Sequence, residues 1–320
     1  MPMDCSNTHM MKGTTSGGSE EGESSNSCSR PNRFLELPED VIRDILRRLG
    51  VEDVLENAQR VCSSWRKMCR DDPSMWRVID MKRLGGEDEC LEVMCAEAVD
   101  RSQGQLTEIH IDHFATDELL LYISERSRQL RCVRIRNCSG VGDGGLIALA
   151  KKCPLLEEMH LAELSDVHNC IEPIGHSCPN LTWFTLSYCH SFRDRDYRGE
   201  DFEALAIAKS MPGLRHLGVV GNGMTNEGLE AILDGCPSLE SLDIRKCNNV
   251  DLLLGEMGDR IARKMKCFKR PDDRMERCEW EAGLCIYHFD SEDYDEEDQY
   301  DEQGQGGAYF DSFGYSSDGW

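Results

Sequence analysis

Cys153-Pro154-Leu155-Leu156-Glu157-Glu158-Met159-His160-Leu161-Ala162-Glu163-Leu164 is the stretch that decides the fold. Counted from Leu156, apolar side chains stand at +3 (Met159), +5 (Leu161) and +8 (Leu164). The same offsets recur on both sides. Leu181 is followed by Phe184, Leu186 and Cys189, and Leu239 by Leu242, Ile244 and Cys247. Leu130 gives Val133, Ile135 and Cys138, while Leu106 gives Ile109, Ile111 and Phe114. Leu214 gives Leu217 and Val219 with Asn222 in the last place, and Trp76 gives Ile79, Met81 and Leu84. Starts at 76, 106, 130, 156, 181, 214 and 239 make steps of 30, 24, 26, 25, 33 and 25 residues. Chance does not hold one phase that many times, so the middle of the chain is an internal repeat.

The spacing has a physical reading. Side chains at +3 and +5 share one face of a short strand and point inward. The +8 residue closes the turn, a place that suits a small, buried, reduced cysteine. Apolar-rich stretches such as Leu146–Ala150, Phe202–Ala208 and Leu229–Leu233 then predict a helix in the second half of each unit. Cys153-Pro154, Cys178-Pro179, Met211-Pro212 and Cys236-Pro237 follow, and proline stops each helix. The pattern resembles the leucine-rich repeat, L-x-x-L-x-L-x-x-N/C, in its cysteine-containing form, with a period of roughly 20–29 residues. One unit cannot bury its own core, so the units stack into a short solenoid of parallel strands and helices.

Upstream, residues 33–75 follow another rule and read as three short helices. Leu37-Pro38-Glu39-Asp40 opens the first, and Val41, Ile42, Ile45, Leu46 and Leu49 form its apolar stripe up to Gly50. A second helix is expected near Glu52–Asn57, and a third carries Val61, Trp65 and Met68. The ordered set Leu37-Pro38-x-Asp40-Val41-x-x-x-Ile45-Leu46-x-x-Leu49, Val61-Cys62-x-x-Trp65-Arg66 and Asp72-Pro73-x-Met75-Trp76-Arg77 resembles an F-box. An F-box joined to cysteine-containing repeats is similar to a large group of plant F-box/LRR proteins. That resemblance implies docking on a Skp-family adaptor, and through it on a cullin–RING ubiquitin ligase, while the repeats hold the protein to be ubiquitylated. It assigns adaptor contact to Leu37, Pro38, Ile42, Ile45, Leu46 and Val54, with Val61 and Trp65 packing the module's own core.

The flanks look different. Residues 1–32 are rich in Gly and Ser, and 290–320 open with nine carboxylates between Asp290 and Glu302, so both read as disordered tails. Between the repeats (76–250) and the acidic tail, residues 251–289 are expected to cap the open end, with a helix over Leu252–Met265. The basic residues there, Arg260, Arg263, Lys264, Lys266, Lys269 and Arg270, read as a solvated helix face. A net charge of -24 argues against nucleic acid and anionic membranes as partners. No apolar run spans a bilayer and the N-terminal stretch has no signal-peptide core, which places the protein in the nucleus and/or cytoplasm. There the 17 cysteines stay reduced.

If +3 and +5 point inward, +2, +4 and +6 face out from the sheet. Those positions hold Arg134, Arg136, His160, Trp183, His216, Asp243 and Arg245, and Trp and Arg are enriched at recognition surfaces. These seven are the expected substrate-binding residues. The long step after Leu181 adds a polar loop, Arg193–Glu200, a second place for contact. Gly140-x-Gly142-x-x-Gly145 imitates a dinucleotide fingerprint but falls in the ordinary strand-to-helix turn of a repeat. Cys267, Cys278, Cys285 and His288 lack the paired spacing of a zinc site, and no catalytic motif is present. No cofactor, metal or intrinsic catalysis is expected. Two rival readings stay open: an F-box scaffold whose cargo is not degraded, and a small-molecule-sensing F-box receptor, which the shortness of the repeat array disfavours.

Overall fold

The computed structural model describes residues 37–81, 88–164, 167, 169–188, 201–252 and 257–274, with the side chains of 88 and 89 excepted. The expected tails, Leu84, Cys189, the loop 193–200 and the Cys278–His288 region lie outside them. Among the described residues no helix is long and apolar enough to cross a membrane.

The N-terminal module begins at α1 (Glu39–Leu46), with Pro38 at its N-cap and Glu39 and Asp40 in the first turn, where carboxylates meet the positive end of the helix dipole. The chain continues through a π-helical segment (Asp53–Ala58) into α2 (Gln59–Val61), then α3 (Ser63–Asp71). The second predicted helix therefore exists as an underwound, π-helical turn that buries Val54, Leu55 and Ala58. Asp72 joins the ends of the module. Its carboxylate accepts hydrogen bonds from Arg43 Nε (2.8 Å) on α1 and from Ser74 N (3.0 Å), the latter opening the 3₁₀ turn Pro73–Trp76.

Trp76 belongs to both modules. Its Nε1 donates to Cys69 O of α3 at 2.8 Å, and the Arg101 guanidinium of the first repeat helix lies 5.4 Å from its ring centroid. Beyond Trp76 the units follow in order: β1 (Val78–Met81), α4 (Asp88–Arg101), β2 (Glu108–Asp112), α5 (Asp117–Arg126), β3 (Cys132–Arg136) and α6 (Asp143–Lys152). Next come β4 (Glu158–Ala162), α7 (Ile171–Ser177), β5 (Trp183–Ser187), α8 (Phe202–Ser210), β6 (His216–Val220) and α9 (Asn226–Gly235). The last described elements are β7 (Ser241–Asp243), α10 (Met257–Lys264) and β8 (Cys267–Lys269). The strands form one sheet in chain order, and every neighbouring pair is parallel.

Sequence phase and strand register coincide. Val78, Glu108, Cys132, Glu158, Trp183, His216 and Ser241, each two residues after a repeat start, are consecutive partners across the sheet. The +3 and +5 side chains, from Ile79 and Met81 to Leu242 and Ile244, are buried. One boundary needs correction. Ser241 pairs with Cys267, so the sheet does not end at residue 250 but gains an eighth strand, and the expected cap contains a further unit starting at Met265. That unit keeps Phe268 at +3 and places Arg270 at +5, so its apolar signature is incomplete.

Three ladders tie each unit to the next. At +7, His113, Asn137, Glu163, Gly221 and Lys246 all have positive φ (80, 50, 56, 66 and 65°). The +7 amide donates to the +6 carbonyl of the following unit, as in Asn137 N to Ala162 O (2.9 Å) and Gly221 N to Arg245 O (2.8 Å), and Tyr188 makes the same bond to Val220 O (3.0 Å) without a positive φ. A side chain at the head of a helix also reaches the next unit: Asp117 accepts from Gly142 N (2.9 Å), Asp143 from Cys170 N (3.0 Å) and Asp201 from Thr225 N (2.8 Å). Gly145 is where Asp117 presses closest, since a Cβ there would lie 2.3 Å from its Oδ1. The Gly140–Gly145 run thus serves helix-to-helix packing. Lastly, Cys153, Cys178 and Cys236 direct their thiols at the carbonyls of Ser127, Ala150 and Met211 in the unit before (3.6, 3.7 and 3.5 Å). Burial pushes these thiols up to about 11, 12 and 11, so they remain protonated. Among the described residues the cysteines are free.

Candidate partner-binding surfaces

The helical module divides its apolar residues between a core and a surface. Ile42, Leu46 and Val54 are 3, 1 and 4% exposed and pack with Val51, Leu55, Met68 and Cys69. This corrects half of the expected adaptor set: these three hold the module together and present no contact surface. Leu37 and Ile45 are half-buried, and Pro38 is exposed. Two residues outside the expected set complete the surface, Val41 at 39% and Leu49 at 37% exposure. Pro38, Val41, Ile45 and Leu49 stand at steps of three and four, which sets them along one side of α1 and the turn after it. Val61, expected in the core, is 56% exposed because α2 ends there and the chain leaves the helix at Cys62. Trp65 is half-buried against the core.

The second surface is the sheet face opposite the +3 and +5 side chains. Two side-chain rows run across it. The +2 row reads Glu108, Cys132, Glu158, Trp183, His216 and Ser241; the +4 row reads His110, Arg134, His160, Thr185, Gly218 and Asp243. Trp183 is the centre of an aromatic group. Its ring centroid lies 5.4 Å from that of His160, edge-on, and 4.8 Å from that of His216. Arg136 lies 3.4 Å from Asp112, and Asp243 lies 3.2 Å from Lys269 Nζ.

The seven expected residues therefore fall into separate groups, and two of them are withdrawn from the surface. Arg245 is 1% exposed and forks onto the Asp243 carboxylate, with Nε at 2.9 Å from Oδ1 and Nη2 at 2.6 Å from Oδ2. The strand ends at Asp243, so the +6 position of this unit lies past the pleat and its side chain folds back on +4. His160 is 2% exposed, with Nδ1 at 3.1 Å from Thr185 Oγ1. Burial holds its imidazole below the usual histidine range, against the pull of Glu158. Arg134, Arg136, Trp183, His216 and Asp243 keep partial exposure.

At the other end of the face sits a charged group that the outward positions name but that sequence reading does not single out. Arg134 Nη1 donates to Glu108 Oε1 at 2.6 Å and Nη2 to Glu158 Oε2 at 3.2 Å, bridging two strands. His110 places Nε2 2.7 Å from Glu108 Oε1 and Nδ1 3.6 Å from Asp80 Oδ2. The hydrogen bond with His110, reinforced by Arg134, pulls Glu108 down to about 2 despite its burial. Conversely, burial disfavours charge on His110, but Asp80 and Glu108 outweigh it and raise the imidazole above its ordinary value.

Comparison with known proteins agrees with both halves. The F-box-like family model matches residues 34–82, and a Leucine Rich repeat model matches residues 212–233. The chain is 41% identical over 285 residues to F-box protein SKIP19 of Arabidopsis thaliana, covering 88% of this chain and 85% of that protein. It is 43% identical over 227 residues to F-box/LRR-repeat protein 9 of the same plant, covering 69% of this chain and 90% of that one. Among solved structures it is similar to a chain of the yeast Rad7–Elc1 complex at 14% identity and a TM-score of 0.46, over 73% of this chain and 65% of that one.

Proposed function

This chain belongs to the F-box/LRR-repeat protein family, and from that premise we propose that it is the non-catalytic, substrate-choosing subunit of a Skp–cullin–F-box ubiquitin ligase. The observation that carries the proposal is the row of exposed Pro38, Val41 and Leu49 with half-buried Ile45 among them, on a module whose core is otherwise complete. Solvent-facing apolar side chains at helical spacing on a small bundle are what a partner helix or groove covers. A Skp-family adaptor takes that row and bridges to the cullin–RING core. The sheet face, with Trp183 between two imidazoles, takes the protein to be ubiquitylated. Trp and Arg are the residue types that dominate binding energy at such surfaces.

The test is reconstitution. The full chain is combined with purified Skp-family adaptor, cullin–RING core and ubiquitin-charged E2, and proteins captured on the chain are offered as substrates. Ubiquitin transfer to a captured protein is expected, abolished by Trp183→Ala/His216→Ala while adaptor capture persists. Assembly with the adaptor but no transfer to any captured protein would favour a scaffold over a ligase subunit.

A further inference from the structure

Cys132 occupies neither the +8 turn nor a Cys-Pro pair, the two places where the repeat calls for a cysteine. Cys138 and Cys247, at +8, send their thiols to backbone carbonyls (Arg136 O at 3.0 Å, Val219 O at 2.9 Å), and the Cys-Pro cysteines do the same between units. Cys132 stands instead at +2 on β3, among charged side chains, with Sγ 3.6 Å from Glu158 Oε2. Its strand register puts it directly beside Glu108 of β2. One donor atom each from Glu108, His110 and Cys132 lies within 4.8 Å of the others. We propose that Glu108, His110 and Cys132 form a binding site for a divalent transition-metal ion of the zinc class.

Three features of the group argue for it. Thiolate, imidazole and carboxylate together are the donor set of zinc, and three protein ligands leave a tetrahedral ion one position for water or for a partner's side chain. His110 is oriented as a ligand should be. Nε2 points to Glu108, while Nδ1 faces away from the cluster toward the Asp80 carboxylate at 3.6 Å, an electrostatic contact that favours this orientation of the ring. The group is also already selective for a cation. Arg134 touches Glu108, His110 Nε2 and Glu158, and Asp80 lies beyond His110, so the guanidinium and the imidazole are set among three carboxylates.

Arg134 is the competitor that an ion must displace, and it has somewhere to go. Its Nη2 keeps Glu158 at 3.2 Å, and the side chain is 25% exposed, free to turn about that contact without being left unpaired. On binding, Cys132 loses its thiol proton to solvent and the thiolate joins the ion, while Glu108 exchanges its guanidinium partner for the metal. The neighbouring combination Cys132, Glu158 and His160 also brings its donors within 4.8 Å. There His160 Nδ1 faces the Thr185 hydroxyl in place of a carboxylate, which makes it the weaker choice.

The experiment is titration of the reduced full-length chain with cobalt(II) alone, followed by displacement with zinc(II), with circular dichroism on every variant. A thiolate-to-cobalt charge-transfer band is expected. It should be lost in Cys132→Ser and weakened about tenfold or more in Glu108→Gln and His110→Gln. Arg134→Gln should move the other way and tighten binding, because it removes the competing cation. A band of equal strength in Cys132→Ser, or weaker binding in Arg134→Gln, would overturn the proposal. Loss in His160→Gln with none in His110→Gln would overturn the ligand assignment. If Cys132→Ser does not fold, the opposite directions of His110→Gln and Arg134→Gln decide.

Discussion

At the scale of single residues, what matters in the helical module is which side of α1 a side chain takes. Ile42 and Leu46 are core, whereas Val41 and Leu49 stay at the surface of the isolated chain. Leu46→Ala should therefore lower unfolding stability by about 2–5 kcal/mol, while Val41→Glu should change it by no more than about 0.5 kcal/mol, both read from urea melts. Sequence spacing revealed the whole stripe but not its division, because all five residues share one face of the helix and spacing alone does not say which edge of that face packs inward. Tertiary partners make that choice. Arg245 and His160 teach the same lesson on the sheet. Alternation placed both outward, but the fork onto Asp243 and the packing around His160 bury them. Asp72 adds a pH dependence. Its burial opposes ionisation, but hydrogen bonds from Ser74 and Arg43 win and hold its carboxyl below the usual range. Its contribution is thus complete above the ordinary carboxylate pKa of about 3.9 and is lost as pH falls through its own lower value. Asp72→Asn should flatten the acid limb of the stability–pH curve below about pH 4 and leave its shape above pH 6 unchanged.

At the scale of elements, neighbouring repeats are joined by the +7 amide, in five units through a left-handed turn, and in several by a carboxylate at the helix head or an inter-unit thiol. Gly221 is the +7 position where the turn is made without a side chain, at φ 66°. Gly221→Ala should destabilise the chain by about 1 kcal/mol, visible as a lower thermal midpoint, since an L-residue is strained there. If the midpoint is unchanged, the +7 conformation is not a fixed requirement of the repeat. Much of this level was legible in the sequence. The +3 and +5 offsets and the Cys-Pro pairs repeat because each unit meets the same packing problem, so the register could be counted before any strand was seen. The Asp117, Asp143 and Asp201 ladder was present but unread, since carboxylates at helix starts occur for capping alone. The eighth unit was missed for a definite reason. Its strand is three residues long and ends at Lys269, and the +5 position just beyond it is Arg270, so the apolar phase fades where backbone pairing continues.

At the scale of the described molecule, Trp76 makes the two modules continuous. It closes the helical module through Cys69, begins the first repeat, and lies under Arg101 of the first repeat helix. Arg101 also donates to Gln59 Oε1 at 3.3 Å, so α2, α3 and α4 meet around one aromatic ring. A docked adaptor would thereby be set at a defined angle to the repeat face, which the proposed ligase geometry needs. That claim depends first on whether the α1 row is an interface. The most direct measurement is the dissociation constant of purified Skp-family adaptor for the full chain, for Val41→Glu/Leu49→Glu and for Trp183→Ala. Binding by the intact chain and by Trp183→Ala, with at least about a 30-fold loss in Val41→Glu/Leu49→Glu at unchanged stability, is the predicted result. Equal affinity in all three, or no binding by the intact chain, would contradict it.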